Sequence, residues 1–146
     1  MTNVERASTR DAHLFAAMEQ AADTKQYILP YTEAEHLQNI MDPRFVYLRI
    51  LDADELVGFM ILVLDPDIVS VEFRRIVVSA KGGGVGQSAI AEMEQFCFSV
   101  LHRQRIWLDV FKHNSRGRHI YEKLGYKQCG EGEHKGQKLF IYDKMR

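Results

Sequence analysis

Residues 80–89 read AKGGGVGQSA, with glycine at 82, 83, 84 and 86. The run follows the apolar stretch Ile76-Val77-Val78 and precedes a segment of helical periodicity. Glycine reaches positive φ and lets another molecule approach the backbone, at an entropic cost to folding. A strand, a glycine turn and a helix start together aim free backbone N–H groups at one point. The chemistry such a turn serves is the holding of a phosphate. Other reactive groupings are absent from the pattern. The six histidines show no H-x-x-x-H or H-E-x-x-H spacing, and no metal is expected. No Ser/His/Asp grouping stands out, and Gln87 after Gly86 departs from the Gly-Lys-Ser/Thr of a nucleotide triphosphatase loop.

Three readings of the turn compete. The first is a surface loop without a ligand, although a position between a strand and a helix start constrains glycine more than a loose loop would. The second is a dinucleotide site. Gly84-Val85-Gly86-Gln87-Ser88-Ala89 fits G-x-G-x-x-A, and Asp109 lies about 20 residues on, where a ribose-binding acid is wanted. That fold needs successive parallel β-α-β units, and the pattern around the turn supplies one. The third reading joins the turn to residues downstream.

The elements that must position these groups follow from the periodicity. Residues 3–7 suit a short strand. Ser8-Thr9-Arg10-Asp11 reads as a helix cap before Leu14, Phe15 and Met18 at helical spacing. A second helix is expected from Thr32, with Leu37, Ile40 and Met41 on one face and a stop at Pro43. Three strands rich in β-branched and aromatic residues cover 45–51, 56–64 and 70–78, joined by DADE and DPDI turns into an antiparallel meander. A helix over 86–101 should bury Ile90, Met93, Cys97 and Val100. A strand over 105–111, a short helix from Asn114 to Leu124 and two strands around GEGEHKGQ complete the chain. The order β-α-α-β-β-β-α-β-α-β-β implies one α/β domain over residues 1–146, mixed, with a largely antiparallel sheet flanked by helices.

Composition narrows the class. The chain has 146 residues, 46% hydrophobic and 27% charged, enough for a core without staples. A net charge of −1 gives no support to nucleic-acid binding. The charged N-terminus and the short apolar runs point away from a signal peptide and a membrane span. With only Cys97 and Cys129, a disulfide framework is not expected, and a reduced cytoplasmic setting is the simpler reading.

Taken together, two stretches resemble the GCN5-related N-acetyltransferases (GNAT). The family's Q/R-x-x-G-x-G/A motif is met by Lys81-Gly82-Gly83-Gly84-Val85-Gly86, with Lys in place of Gln or Arg. Its later signature, an Asn, a short helix and Leu-Tyr-x-Lys-x-Gly-Phe, is similar to Asn114 followed by Ile120-Tyr121-Glu122-Lys123-Leu124-Gly125-Tyr126. The strand order from about Phe45 to the C-terminus agrees as well.

The resemblance implies acetyl-CoA as acetyl donor. Its pyrophosphate would lie on Gly82, Gly83, Gly84, Val85 and Gly86, with Lys81 as a point charge where Arg could make a forked contact. The pantetheine arm would run in a cleft between the strands 70–78 and 105–111, against backbone near Ile76 and Val78. Asn114 is expected both to cap its helix and to touch the cofactor. Tyr121 matches the family's general acid. Glu72 stands where members place a glutamate acting as base through water, or else pairs with Arg74 or Arg75.

The implied enzyme is an N-acetyltransferase in which a primary amine attacks the thioester directly. The alternatives are an acetyl-CoA-binding sensor or interaction module without turnover, and the dinucleotide protein. In this family the first two helices shape the acceptor site, so Tyr27 and Tyr31 are candidate acceptor contacts, with Glu33 and Glu35 serving either there or as ordinary helix-start charges. A small-molecule amine and a protein amine both remain open as acceptor, and so does a homodimer.

Overall fold

The computed structural model describes residues 1–21, 29–79 and 83–146. Seven strands form one sheet: β1 (Thr2–Arg6), β2 (Phe45–Asp52), β3 (Glu55–Leu64), β4 (Ser70–Val78), β5 (Arg105–Phe111), β6 (Lys127–His134) and β7 (Gln137–Met145). Their order across the sheet is β1-β2-β3-β4-β5-β7-β6. Every neighbouring pair is antiparallel except β4 and β5. The helices are α1 (Ala12–Ala21), α2 (Glu33–Met41), α3 (Val85–Gln95) and α4 (Ser115–Lys123). The expected element order and the mixed, largely antiparallel α/β fold are both present. Among the described residues no helix is long and apolar enough to cross a membrane.

The meander follows from its turns. Ala53 and Asp54 have φ of 50° and 66°, the left-handed pair that closes a two-residue hairpin. Alternation along the strands then feeds two cores. On one face Val71, Phe73, Ile106, Leu108 and Val110 pack with Ile90 and Met93 of α3 and with Tyr126, while Ile76 and Val78 lie half-buried against the same cluster. On the other, Phe15 of α1 stacks on Phe59 at 4.4 Å, beside Tyr47, Ile61 and Val77.

Strand β4 carries the feature that matters most for a site. Ile61 pairs with Arg75 and Leu62 with Phe73, so Arg74 is an extra residue, a β-bulge. Phe73 and Ile76 therefore share the α3 face although they are three apart, and Arg75 and Val77 turn to the α1 face. The parallel ladder with β5 stops at the same place. Only Ser70, Val71 and Glu72 pair with it, opposite Arg105, Ile106 and Trp107. Beyond Glu72 the two strands run on without pairing, and the sheet is split.

Three expectations need correction. In α2 the buried residue is His36, while Leu37 and Met41 are 39% and 70% exposed. The helix is seated on a polar group, and of the expected stripe only Ile40 packs against the core. The helix after the glycine turn changes to a π-helical turn over Phe96–Val100. The wider turn keeps Cys97 buried but swings Val100 out to 60% exposure. The loop expected around GEGEHKGQ is largely strand, since β6 pairs with β7 as far as His134 and Gln137, leaving Lys135 and Gly136 as the turn.

Candidate active site

The glycine turn sits at the end of β4 and at the start of α3. Gly84 is the N-cap, with φ 72° and ψ 16°, and Gly83 before it has φ 69°. Two successive left-handed residues would cost any other side chain about 1–2 kcal/mol each, which is why glycine stands there. Among the described residues, a Cβ added at Gly83, Gly84 or Gly86 would meet nothing within 4 Å. Val85 is buried and anchors the helix start in the core. Lys81 and Gly82 of the same motif lie outside the described residues.

Helix α4 lies on the same face of the sheet. Its N-cap Asn114 accepts a hydrogen bond from the Gly117 N–H at 3.0 Å. A Cβ on Gly117 would stand 2.7 Å from Asn114 Nδ2, so this glycine lets the cap fold tightly over the helix start. Tyr121 packs edge-on against Phe73 of β4, ring centroids 6.3 Å apart, and against Tyr126 at 6.0 Å. Burial, and after it the nearby Asp109 charge, pushes the Tyr121 phenol up to about 12. It keeps its proton throughout the neutral range.

The opposite face of the split is built from charges. Glu72 pairs across the sheet with Trp107, so both side chains leave the sheet on this face. Arg74 Nη2 and Nε donate to the two Glu72 carboxylate oxygens at 2.9 and 3.2 Å. Of the two roles weighed for Glu72, the ion pair is the one displayed. Arg75, next along, donates through Nη1 to Glu19 Oε2 at 2.7 Å. Glu19 is fully buried, and its Oε1 meets His36 Nε2 at 2.5 Å; His36 Nδ1 in turn meets the Tyr47 hydroxyl at 2.8 Å. Burial raises the Tyr47 phenol well above its usual range.

This network places Tyr31, whose ring lies 4.2 Å beneath the Arg75 guanidinium and edge-on to His36. Tyr31 also interacts with Arg74, the partner of Glu72. Glu35 does not join it, since its carboxylate accepts from the Thr32 N–H at 2.9 Å as half of a capping box. Tyr27 lies outside the described residues.

The residues present fit acetyl-CoA. Among the described residues nothing crowds the two left-handed glycines, and past Glu72 the backbone of β4 is left unpaired on its β5 side. Those are the needs of a pyrophosphate and of an amide-bearing arm. A model of the acetyltransferase (GNAT) family matches residues 12–126. The chain belongs to the GNAT family. It is accordingly an N-acetyltransferase with acetyl-CoA as donor.

Among solved structures, this acetyltransferase is similar to the spermidine N-acetyltransferase of Vibrio cholerae in complex with CoA and spermine. The identity is 20%, the TM-score 0.82, and 99% of this chain and 95% of that one are covered. The SpeG spermidine/spermine N-acetyltransferase of Vibrio cholerae in complex with manganese ions aligns with TM-score 0.77 at 20% identity, over 99% and 92% of the two chains. At this identity the likeness shows the fold. No curated protein matches the chain in sequence.

The dinucleotide alternative fails on topology, because a single parallel strand pair leaves no second β-α-β half. What sequence reasoning missed in the acetyltransferase is the Glu19–His36–Tyr47–Arg75 network and the bulge at Arg74. Glu19 and His36 sit on two helices 17 residues apart, at no spacing that marks a pair.

Proposed function

We propose that the acetyl group passes directly to a primary amine entering from the α1–α2 side of the split sheet. The observation that carries this reading is the contrast across the split: a protonated phenol packed against the apolar core on one side and a charge-lined face on the other. Bound acetyl-CoA supplies an activated thioester. Backbone N–H groups of Gly82 to Gly86 would hold its pyrophosphate, helped by Lys81 and by the positive end of α3. The backbone at Ile76 and Val78 and the Asn114 side chain would hold the arm. Tyr121 donates its proton to the sulfur as negative charge develops there. Tyr27 and Tyr31 would line the approach of the acceptor.

A protonated amine has no lone pair, so the acceptor must lose a proton before it attacks. Spermidine and spermine, named for the Vibrio cholerae proteins, are the first acceptors to try. Amino acids, aminoglycosides and lysine peptides complete the panel. The test is calorimetric titration with acetyl-CoA, with NADH as control, followed by thiol release with each amine. Binding of acetyl-CoA with release for at least one amine is expected. Binding without release for any amine would favour the sensor reading, and binding of NADH alone would sink the proposal.

A further inference from the structure

We propose that Asp109 is the carboxylate that receives the acceptor's ammonium at the mouth of the split and takes the proton the amine must lose. The inference rests on the amine-acetylating reading above and assigns a residue that reading leaves unnamed.

Register carries the first part of the argument. Trp107 is the last residue of β5 paired with β4, and Asp109 lies two residues further, on the same face as Trp107 and Glu72. Two strand residues are about 7 Å, so Asp109 stands where the strands have just begun to part. It is exposed between buried Leu108 and Val110. Among the described residues, helices α1 and α2 pack mainly on β2, β3 and β4 rather than on β5. Trp107 and Phe111 flank Asp109 along β5, and its register partner on β7 is Ile141, all half-buried. An ammonium on a carbon chain would find a carboxylate there, with apolar surface beside it along the strand. The indole is held in place by its Nε1–H, which donates to Asp65 Oδ2 at 2.7 Å.

Availability is the second part. Both Glu72 oxygens are taken by Arg74. Among the described residues no hydrogen bond or ion pair engages the Asp109 carboxylate. The charged and titratable groups facing it are Glu72 and Arg74 from β4, His134 from β6 and Tyr121 from α4. The residue keeps access to solvent, but the protein packed around it shields the carboxyl in part from water; that desolvation, and then the Glu72 charge, raise it above the usual range, while Arg74 and His134 pull the other way. A raised carboxyl is a better proton acceptor than an ordinary aspartate.

The transfer balances with these two groups. One C–N bond forms, one C–S bond breaks, and the nitrogen gives up two protons. Asp109 takes the first and passes it to solvent. The second makes good the proton that Tyr121 delivers to the thiolate.

The experiment measures pH profiles of kcat/KM for the best acceptor in the panel, with acetyl-CoA affinity by calorimetry, for the native enzyme, Asp109→Asn, Asp109→Glu and Glu72→Gln. Asp109→Asn should bind acetyl-CoA within a few-fold of the native enzyme, lower kcat/KM about 100-fold and lose the acid limb. Asp109→Glu should recover the limb. Glu72→Gln should move the limb to lower pH, because the like charge that raises Asp109 is gone. A limb that survives Asp109→Asn, or one that vanishes in Glu72→Gln, overturns the assignment, and the latter makes Glu72 the base. Loss of acetyl-CoA binding in both Asp109 variants overturns it in favour of a structural role. Native enzyme that binds acetyl-CoA but acetylates no amine overturns the base assignment and leaves the cofactor reading standing; failure to bind acetyl-CoA overturns both.

Discussion

The two faces of the split sheet are built on different principles. On the α3–α4 face the groups that await the cofactor are backbone amides of a glycine turn and one phenol set in an apolar core. On the α1–α2 face they are polar and ionic side chains from four elements, Glu19, His36, Tyr47 and Arg75, linked by short hydrogen bonds in the interior. The cofactor face depends on local geometry. The acceptor face depends on buried ions that hold one another in place, and removing one partner strands the rest. The first arrangement suits a ligand common to a whole family, and the second suits an acceptor that differs from one member to the next.

The largest effect should come from breaking the acceptor face at its centre. Glu19→Ala leaves His36 and Arg75 without their shared carboxylate, and denaturant unfolding should show a loss of about 3–5 kcal/mol. A loss below about 1 kcal/mol would mean that water replaces the carboxylate, and the contrast between the faces would fall. Acetyl-CoA affinity of the folded variant should stay close to native.

Next in size is Tyr121→Phe, the same experiment on the cofactor face. It removes one hydroxyl from a packed ring, so stability and acetyl-CoA affinity should change little while kcat falls about 100-fold. An unchanged kcat over the whole pH range would remove Tyr121 from the chemistry. Smaller still is Gly84→Ala. The left-handed conformation should cost about 1–2 kcal/mol, read both as lower stability and as weaker acetyl-CoA binding. A variant that binds as tightly as native would show that the turn has another low-energy form.

The smallest effect has a sign that sharpens the comparison. The Asp109 carboxyl is raised in the folded state, so the folded chain binds a proton more readily there than the unfolded chain does. Its contribution is therefore most favourable at low pH and declines as pH rises through the window from about 3.9 to the raised folded value. Asp109→Asn should make the protein slightly more stable at neutral pH and no more stable below that window. A destabilised Asp109→Asn at neutral pH would place Asp109 among the structural charges, with Glu19.

Much of the cofactor face could be read in advance because its signals are local. Gly84 and Asn114 are helix caps, and caps depend on a few adjacent residues. Strand β5 was legible to the residue, since its alternation runs unbroken from Arg105 to Phe111. Where the reading slipped, a tertiary contact had overridden the local pattern. The stripe of Leu37 and Met41 promised an apolar seat for α2, but the helix turns His36 inward to reach Glu19. Val100 belonged to an α-helical face that the π-helical turn displaced.

By itself the sequence determined the order of elements, the glycine turn at the head of α3 and the tyrosine on α4. Each of these rests on backbone conformation and on periodicity over a few residues, and such information is carried along the chain. Only the tertiary structure decided which carboxylates are engaged. Glu72 and Asp109 are both acids on alternating strands, and nothing in their neighbours tells them apart. The bulge at Arg74 and the parting of β4 from β5 do so: one places a guanidinium on both oxygens of Glu72, and the other sets Asp109 at the opening, where none of the described residues pairs with it.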